Sequence, residues 1–355
     1  MTLLAETIKK IEPLDREAMS KARERLEQLT MPYWALGRLM DLALDLAGMT
    51  RSVRPDVENR TIVVMAGDHG VAAQGVSKYP QEVTAQMVYN FINGGAGINA
   101  MARVAEAEVA VVDMGVASDL DQLVEQGLLI SKKVRPGTSN MSEGPAMTRE
   151  EATQSVESGI ELALALADTT HVFGTGDMGI GNTTPSSAIV ASMTGSDPKE
   201  VTGRGTGIDD EQLTHKIAVI QQSLDVNKPN PRDPLDVLAK VGGFEIGGIA
   251  GLILGAASAR RPVVIDGFIS TAGALIAHGL NPTAADYMIA AHMSVERGHR
   301  IALEHLGKKP LMQLDLRLGE GTGAALAMTF VEAAYRILTE VATFEEAAVS
   351  TAEGT

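Results

Sequence analysis

The chain has 355 residues, of which 45% are hydrophobic, and a formal net charge of -15 at pH 7. This acidity argues against nucleic acid or an anionic membrane as a partner, because both attract clustered Lys and Arg side chains. The absence of cysteine excludes disulfides, thiolate metal sites and thiol catalysis. The sequence shows neither a signal peptide nor an apolar run of roughly 18 residues, the length of a membrane span, so we expect a cytoplasmic protein.

The first part of the chain is predicted to be helical. Leu, Met and Ala recur at helical spacing over Leu14–Leu29 and again over Tyr33–Ala47. Residues 1–59 are therefore expected to form two or three helices before the first strand.

From Thr61 onward, short runs rich in β-branched residues alternate with helical segments. Strands that alternate with helices in this order form a parallel sheet covered by helices on both faces. The sequence therefore predicts an α/β fold with a mostly parallel sheet. The predicted strands are Thr61–Gly67, Val109–Gly115, His171–Gly176, Arg261–Gly267, Tyr287–Ser294 and Pro310–Asp315.

Polar residues and glycines follow these strands. In a parallel sheet the carboxyl ends of the strands meet at one edge, where open α/β folds bind ligands. We expect the polar groups to surround one crevice there, although a single Asp-Gly pair is more typical of a turn. The groups are Asp68-His69-Gly70, Asp113, Gly176-Asp177, Asp266-Gly267, Ser294 and Gly319-Glu320-Gly321.

Gly174–Thr184, with the sequence GTGDMGIGNTT, is predicted to connect a buried strand to a helix. Backbone N–H groups in a glycine-rich loop and at a helix N-terminus bind phosphate. Gly174, Gly176 and Gly179 also have the spacing of a dinucleotide fingerprint, but the acidic residue that should end a second strand about 20 residues later is missing. A phosphate site is favoured, with a simple tight turn as the alternative.

A second glycine loop, Gly203–Asp210, precedes a helix predicted to begin near Asp210. Lys216 lies about two turns into this helix, where it is either an anion ligand at the same crevice or a solvated lysine. Ser77–Gln86 is a polar segment that contains Tyr79 and suits the lining of a planar ligand.

Glu320 is isolated between Gly319 and Gly321, ahead of a helix predicted over Ala324–Leu338. A carboxylate in this place is either a helix N-terminal acid favoured by the helix dipole or a catalytic group at the crevice.

The sequence gives little indication of a metal site. His292, Glu296 and His299 have a spacing that suits one helix face, but the HExxH order is absent. We therefore predict neither a metal nor a cofactor.

Six segments carry a family resemblance when they are taken together. They are AGDHGVAAQGVSKYPQEVT, GDMGIGNTTPSS, GRGTGIDD, VIDGFIS, AHMSVERGH and LRLGEGTGAALA. From about Arg60 to Ala334, the chain resembles the nicotinate-nucleotide:dimethylbenzimidazole phosphoribosyltransferases of cobalamin lower-ligand synthesis. The resemblance implies a homodimer. It also implies a Rossmann-like three-layer α/β/α catalytic domain over 60–330, and a small helical domain in which residues 1–59 are completed by C-terminal helices at about 331–347.

The family reaction transfers phosphoribose from nicotinate mononucleotide to 5,6-dimethylbenzimidazole and gives α-ribazole 5′-phosphate and nicotinate. The leaving base is already a pyridinium cation, so its departure needs neither an acid nor Mg²⁺. The resemblance implies that Glu320 is the general base for the benzimidazole proton, with a pKa raised by burial beside Leu318 and Met87. In-line attack would invert the anomeric carbon from β to α.

The family's substrate contacts carry over to this sequence position by position. Asp177 departs from the family, which has Glu there, so its contact with substrate is open. The benzimidazole contacts match Ser77 and Gln86; the phosphate and nicotinate contacts match Gly176, Asp177, Gly179, Gly181, Asn182, Thr183, Lys216 and Ser294; and the ribose contacts match Asp266, Leu318 and Gly319.

Two other functions stay open on the residues alone. One is an NAD-dependent oxidoreductase that uses Gly174–Gly179, and the other is a non-catalytic nucleotide or azole binding protein. The preferred aromatic base also stays open, because related azoles and phenols differ mainly in shape.

Overall fold

The computed structural model describes residues 2–205 and 207–350. At its centre is a sheet of six parallel strands in the order β3-β2-β1-β4-β5-β6. This is the strand order of a Rossmann fold, so the predicted fold class is confirmed. The strands are β1 (Arg60–Gly67), β2 (Ala107–Gly115), β3 (Ile130–Ser131), β4 (Val172–Met178), β5 (Val263–Ile265) and β6 (Met288–Ala290).

The direction of strand addition reverses at the centre of the sheet, where β1 pairs with β4. The chain places β2 and β3 on one side of β1 and then returns to build β4, β5 and β6 on the other. Connections that leave the carboxyl ends of β1 and β4 therefore diverge, and a crevice opens between them.

The helices of the described residues connect these strands and extend the fold at both chain ends. Two short 3₁₀ turns, Gly70–Gln74 and Pro282–Tyr287, accompany them. The helices are α1 (Leu3–Lys10), α2 (Arg16–Leu26), α3 (Arg38–Thr50), α4 (Val83–Ile92), α5 (Gly97–Val104), α6 (Asp121–Glu125), α7 (Arg149–Leu166), α8 (Thr183–Thr194), α9 (Pro198–Val201), α10 (Asp210–Asn227), α11 (Pro234–Val241), α12 (Phe244–Ser258), α13 (Phe268–Leu280), α14 (Arg297–His305) and α15 (Thr322–Glu340).

Helices cover both faces of the sheet. All eight residues of β1 are buried, as expected for a central strand of a parallel sheet. Ile62 of β1 lies beside the α15 residue Met328, whereas Met65 approaches Gly248 of α12. Side chains alternate along a strand, so α15 and α12 lie on opposite faces and the architecture is a three-layer α/β/α sandwich.

The N-terminal helices pack against the last long helix. Helices α2 and α3 contact each other and α15, while α1 contacts α7 and α12. Since α15 runs unbroken from Thr322 to Glu340, the expected boundary at residue 330 lies inside a helix that serves both parts of the molecule. Residues 341–350 form turns without a helix, so the prediction of helices to about residue 347 is wrong.

One predicted strand is absent and one real strand was missed. Pro310–Asp315 makes only a single bridge, between Met312 and His292, and Leu314 is 59% exposed, so the segment is not the buried strand that its apolar residues indicated. Strand β3 was missed because two residues are too short to show an alternating pattern.

None of the helices in residues 2–205 and 207–350 combines the length and hydropathy needed to cross a bilayer.

Candidate active site

A cavity of about 750 Å³ lies at the carboxyl edge of the sheet, at the crevice between β1 and β4. Five stretches of the chain contribute to its wall, as the positions of the polar strand ends predicted. They lie within residues 76–87, 177–183, 267–269, 292–296 and 315–320, together with Gly205.

The turn that carries Glu320 has an unusual backbone. Gly319, Glu320 and Gly321 all have positive φ, at 80°, 62° and 91°. Such values are ordinary for glycine but rare for a residue with a side chain, and they cluster at functional sites. The two glycines thus allow a tight left-handed turn that presents the Glu320 side chain to the cavity.

Glu320 is almost enclosed, with 6% of its surface exposed. Its Oε2 atom accepts a hydrogen bond from the backbone N–H of Ile98 at 3.1 Å, in the first turn of α5. Burial raises the pKa of Glu320, and the backbone N–H groups of Ile98 and Gly97 partly oppose this by favouring the ionised form. The side chain of Leu318, 60% exposed, covers the same helix start near Gly97.

Gly176 allows the turn to pack directly on the sheet. A Cβ atom at this position would lie 2.5 Å from the carbonyl oxygen of Glu320. Strand β4 extends through Met178, two residues further than predicted. The glycine-rich loop predicted over Gly174–Thr184 therefore begins only after Met178, and Gly174 and Gly176 belong to the strand. These glycines serve close packing of α15 and its preceding turn, and the geometry does not match a dinucleotide fingerprint, whose glycines lie in the strand-to-helix turn.

Asp266 lies at the end of β5, behind the cavity wall. Both of its carboxylate oxygens accept backbone N–H groups of the α15 start, Oδ2 from Gly321 at 3.2 Å and Oδ1 from Ala324 at 2.9 Å. Burial raises its pKa to about 7, and these hydrogen bonds limit the rise. The side chain is fully enclosed and does not line the cavity, so the ribose contact expected for Asp266 has no support in this geometry.

Asp177 lines the cavity although it is buried. Its Oδ2 atom accepts a hydrogen bond from the Asn182 side chain at 2.9 Å, and its carboxylate lies beside Gly319. Burial, followed by the neighbouring Asp266 carboxylate, raises the pKa of Asp177 well above its usual range. The aspartate therefore reaches the cavity despite its shorter side chain.

Glycines and polar side chains line the cavity where α8 begins. Gly179, Gly181, Asn182 and Thr183 line it, and Gly181 takes a φ of 85°. The Nζ atom of Lys216, 1% exposed, donates a hydrogen bond to Thr183 Oγ1 at 2.6 Å. Lys216 therefore contacts Thr183 as predicted, but it lies behind the wall and is not itself a lining residue. The lining residues and the N-terminus of α8 suit an anion.

Burial lowers the pKa of Lys216 to about 8, although the nearby Glu296 carboxylate opposes this. Glu296 accepts the backbone N–H of Gly205 at 3.0 Å, which holds the second glycine loop against the cavity. Thr206 of that loop lies outside the described residues.

The segment after β1 supplies apolar side chains to the cavity wall. Val76, Val83 and Met87 line it together with Ser77 and Tyr79, so the predicted place of Ser77 is consistent with the structure. Gln86 lies on α4 with its side chain exposed and is not part of the cavity wall.

Several polar strand ends serve local structure instead of the cavity. Asp68 accepts the N–H of Ala117 at 2.8 Å, and Asp113 accepts those of Gly115 and Val116 at 3.0 and 2.8 Å. For these two aspartates, the alternative that such residues stabilise turns is therefore the correct one.

His292, Glu296 and His299 do not share a helix face, because α14 begins only at Arg297. Both ring nitrogens of His299 are occupied, one by Ser294 N–H at 2.9 Å and the other by Thr271 Oγ1 at 2.9 Å. Within residues 2–205 and 207–350, no group of three or more His, Asp or Glu side chains is arranged to hold a metal ion. Ser294 and His292 line the cavity.

Sequence reasoning assigned no substrate role to three charged residues at this site. Arg317 and Glu296 line the cavity. The available signal was their place inside two of the recognised motifs, LRLGEGTGAALA and AHMSVERGH. His69 lies beneath Gly179, with Nε2 2.8 Å from Glu245 Oε1 in a completely buried pair. Burial alone would lower the pKa of His69, but the Glu245 carboxylate outweighs it and raises the pKa.

Comparison with known proteins shows the class of enzyme to which this fold and this cavity belong, which is the phosphoribosyltransferases. A family model described as "Phosphoribosyltransferase" matches residues 11–349. A relative from Syntrophotalea carbinolica, named nicotinate-nucleotide–dimethylbenzimidazole phosphoribosyltransferase, is 63% identical over 350 residues, which are 99% of each chain. A relative of the same name from Desulfotalea psychrophila is 58% identical over 354 residues, covering 99% of this chain and all of the relative.

A crystal structure of the protein with this name from Thermus thermophilus superposes with a TM-score of 0.89 at 47% identity, covering 95% of this chain and 100% of that one. The chain belongs to the nicotinate-nucleotide–dimethylbenzimidazole phosphoribosyltransferase family. The resemblance seen in the sequence motifs is thereby confirmed, and neither the oxidoreductase nor the non-catalytic interpretation is supported.

Proposed function

We propose that the protein transfers phosphoribose from nicotinate mononucleotide to 5,6-dimethylbenzimidazole, giving α-ribazole 5′-phosphate and nicotinate, with Glu320 as the general base. The bond between the ribose C1 and the pyridinium nitrogen breaks, and its electron pair neutralises that nitrogen, so nicotinate leaves with a neutral ring and its carboxylate. One benzimidazole nitrogen bonds to C1 from the opposite face, so the anomeric configuration inverts. The proton on the second ring nitrogen passes to the Glu320 carboxylate.

The observation that carries the proposal is the position of Glu320 in the cavity wall. A general base needs a pKa nearer to the working pH than that of an exposed carboxylate, and burial moves the pKa of Glu320 in that direction. The backbone of Glu320 is also fixed in place, because it is left-handed, lies between two glycines and packs against Gly176.

Two groups of residues around the cavity suit the two parts of the reaction. The apolar side chains of Val76, Val83 and Met87 match a flat aromatic base, while Lys216 and the α8 N-terminus match the phosphate of the mononucleotide. Local N–H groups and one buried ammonium would attract the phosphate without the global positive charge that this chain lacks.

We propose further that the protein is a homodimer, as the family resemblance implies. Tyr79, 55% exposed, and Leu318 leave apolar surface at the mouth of the cavity that a second subunit would cover. Light scattering coupled to gel filtration tests this, since a monomer at micromolar concentration would contradict it.

The reaction is tested by incubating the purified protein with nicotinate mononucleotide and a panel of azoles and phenols. Mass spectrometry would detect nicotinate and the new nucleotide, and NMR would give the anomeric configuration. We expect an α-linked 5,6-dimethylbenzimidazole product without added metal. A β-linked product would refute direct inversion, and binding of both substrates without nicotinate release would refute the activity.

A further inference from the structure

Helix α15, which follows Glu320, begins without a cap of its own. Its N-cap residue is Gly321, which has no side chain, and its third helical residue is Ala324. In a capping box, polar side chains at these two positions satisfy each other's backbone N–H groups. Neither residue can do so here, although both N–H groups are buried.

Asp266 from β5 supplies both missing bonds. Its two carboxylate oxygens accept the N–H groups of Gly321 and Ala324, the same pair that a capping box satisfies. Asp266 is itself held in place, because its backbone N–H donates to Thr175 Oγ1 in β4 at 3.1 Å. A single carboxylate from the sheet therefore caps the helix from outside.

The capped turn is the one that orients the Glu320 side chain. The peptide group between Glu320 and Gly321 is held at both ends, because its carbonyl packs on Gly176 while its N–H donates to Asp266. A left-handed backbone is unfavourable for a residue with a side chain, because Cβ approaches the following carbonyl oxygen. Without the second anchor, Glu320 would be free to relax away from the cavity.

We propose that Asp266 is a positioning residue that fixes the Glu320 carboxylate in the cavity by capping α15 from outside the helix. The inference rests on the proposed role of Glu320 as the base. It assigns Asp266 an action through Glu320 and none on the ribose, because its side chain is enclosed behind the wall.

The test is a double-mutant cycle between Asp266→Asn and Glu320→Gln, with kcat and KM measured for both substrates. Asparagine keeps the shape of Asp266 but has one acceptor oxygen in place of two. We expect Asp266→Asn to lower kcat by about 10- to 100-fold, since a displacement of about 1 Å has effects of this size, and to change KM for the mononucleotide by less than about twofold. In the Glu320→Gln background the same change should lower kcat less than about twofold further.

Three outcomes are decisive. Losses of kcat that multiply in the double variant would overturn the proposal, because Asp266 would then act independently of Glu320. A raised KM with an unchanged kcat would overturn it in favour of a ribose contact. Near-normal activity of Glu320→Gln alone would refute the proposed base, which is a separate result.

Asp113→Asn is the matched control. Asp113 also lies at the end of a parallel strand, is buried, and accepts two backbone N–H groups, and it is not part of the cavity wall. Unlike Asp266, it also pairs with Lys133 at 3.0 Å. It should lower stability and leave kcat within about twofold of wild type. If Asp266→Asn does not fold, Thr175→Val removes the bond that holds Asp266, together with the longer bond of 3.5 Å from Thr175 Oγ1 to the Val264 carbonyl. We expect a loss in kcat of about 3- to 10-fold that disappears in the Glu320→Gln background. A loss that persists there would contradict the proposal.

Discussion

The Oε2 atom of Glu320 lies 3.1 Å from the backbone nitrogen of Ile98 and accepts its hydrogen bond, although 222 residues separate the two in sequence. The contact places the carboxylate at the N-terminus of α5, where partial positive charge favours ionisation. Burial acts in the opposite direction and is the larger effect, so the pKa is raised. Glu320 is thus a stronger base than an exposed glutamate and is still held by donors that favour its anion.

The pH dependence of kcat/KM should show this raised pKa. A general base must be unprotonated, so the rate should fall as pH falls through the pKa of Glu320, at a pH above the ordinary glutamate value of 4.5. Rates in buffers of constant ionic strength between about pH 4 and 9 would measure the acidic limb. A rate that stays constant down to pH 4.5 would contradict the assignment.

Gly176→Ala should damage the Glu320 turn. The new Cβ would lie 2.5 Å from the Glu320 carbonyl oxygen, a contact that must move the backbone. We expect a loss of about 1–3 kcal/mol in the free energy of unfolding and about a 10-fold or greater loss of kcat. Urea unfolding and steady-state kinetics would measure both.

Gly144→Ala is the control for this substitution, since a Cβ at Gly144 meets no atom within 4 Å. It should leave kcat unchanged. Equal effects of the two alanines would show that the close contact at Gly176 is unimportant.

Lys216→Met should weaken binding of the substrate phosphate. Methionine has a similar volume but lacks the charged ammonium group that donates a hydrogen bond to Thr183. We expect KM for nicotinate mononucleotide to rise about 10- to 100-fold, the range for loss of a hydrogen bond to a charged group. Any activity on nicotinate riboside, which lacks the phosphate, should be unaffected. A parallel loss on both substrates would instead mean that Lys216 supports the fold.

Asp266 should make the protein less stable as pH rises toward neutrality. Its pKa is about 7 in the folded protein and 3.8 in the reference state, so between these values the folded protein holds a proton that unfolding releases. Stability therefore falls with rising pH, by up to about 1.4 kcal/mol per unit for one such group. Urea unfolding between about pH 4 and 7 should show a shallower slope for Asp266→Asn than for wild type. Identical slopes would show that Asp266 ionises normally.

The sequence predicted the architecture because the buried strands carry dense β-branched runs, as in β1, and alternate with helices. It failed for Pro310–Asp315, where apolar residues suggested a buried strand. Leu311 and Met312 do form backbone hydrogen bonds with residues 290–293, but the pairing makes one bridge only and Leu314 is exposed. Local pattern does not report how far pairing with a neighbouring strand continues.

Only part of the candidate site was predicted, because the sequence pattern gives the position of a residue along the chain and not the direction of its side chain. Position at or after a strand end brought Asp177 and Ser294 to one cavity, as expected, and Glu320 joins them although the strand predicted before it is absent. The same rule also selected Asp266, whose carboxylate turns away from the cavity to cap α15. Which way a side chain turns depends on contacts between distant segments, and spacing along the chain does not encode them.

The central claim is that Glu320 accepts the proton in the transfer reaction, and Glu320→Gln tests it most directly. Glutamine keeps the size of the side chain and removes its basicity. We predict that turnover with saturating nicotinate mononucleotide and 5,6-dimethylbenzimidazole falls about 10²- to 10⁴-fold, while the Kd of each substrate, measured by calorimetry, changes less than about threefold. Turnover within about threefold of wild type would contradict the account.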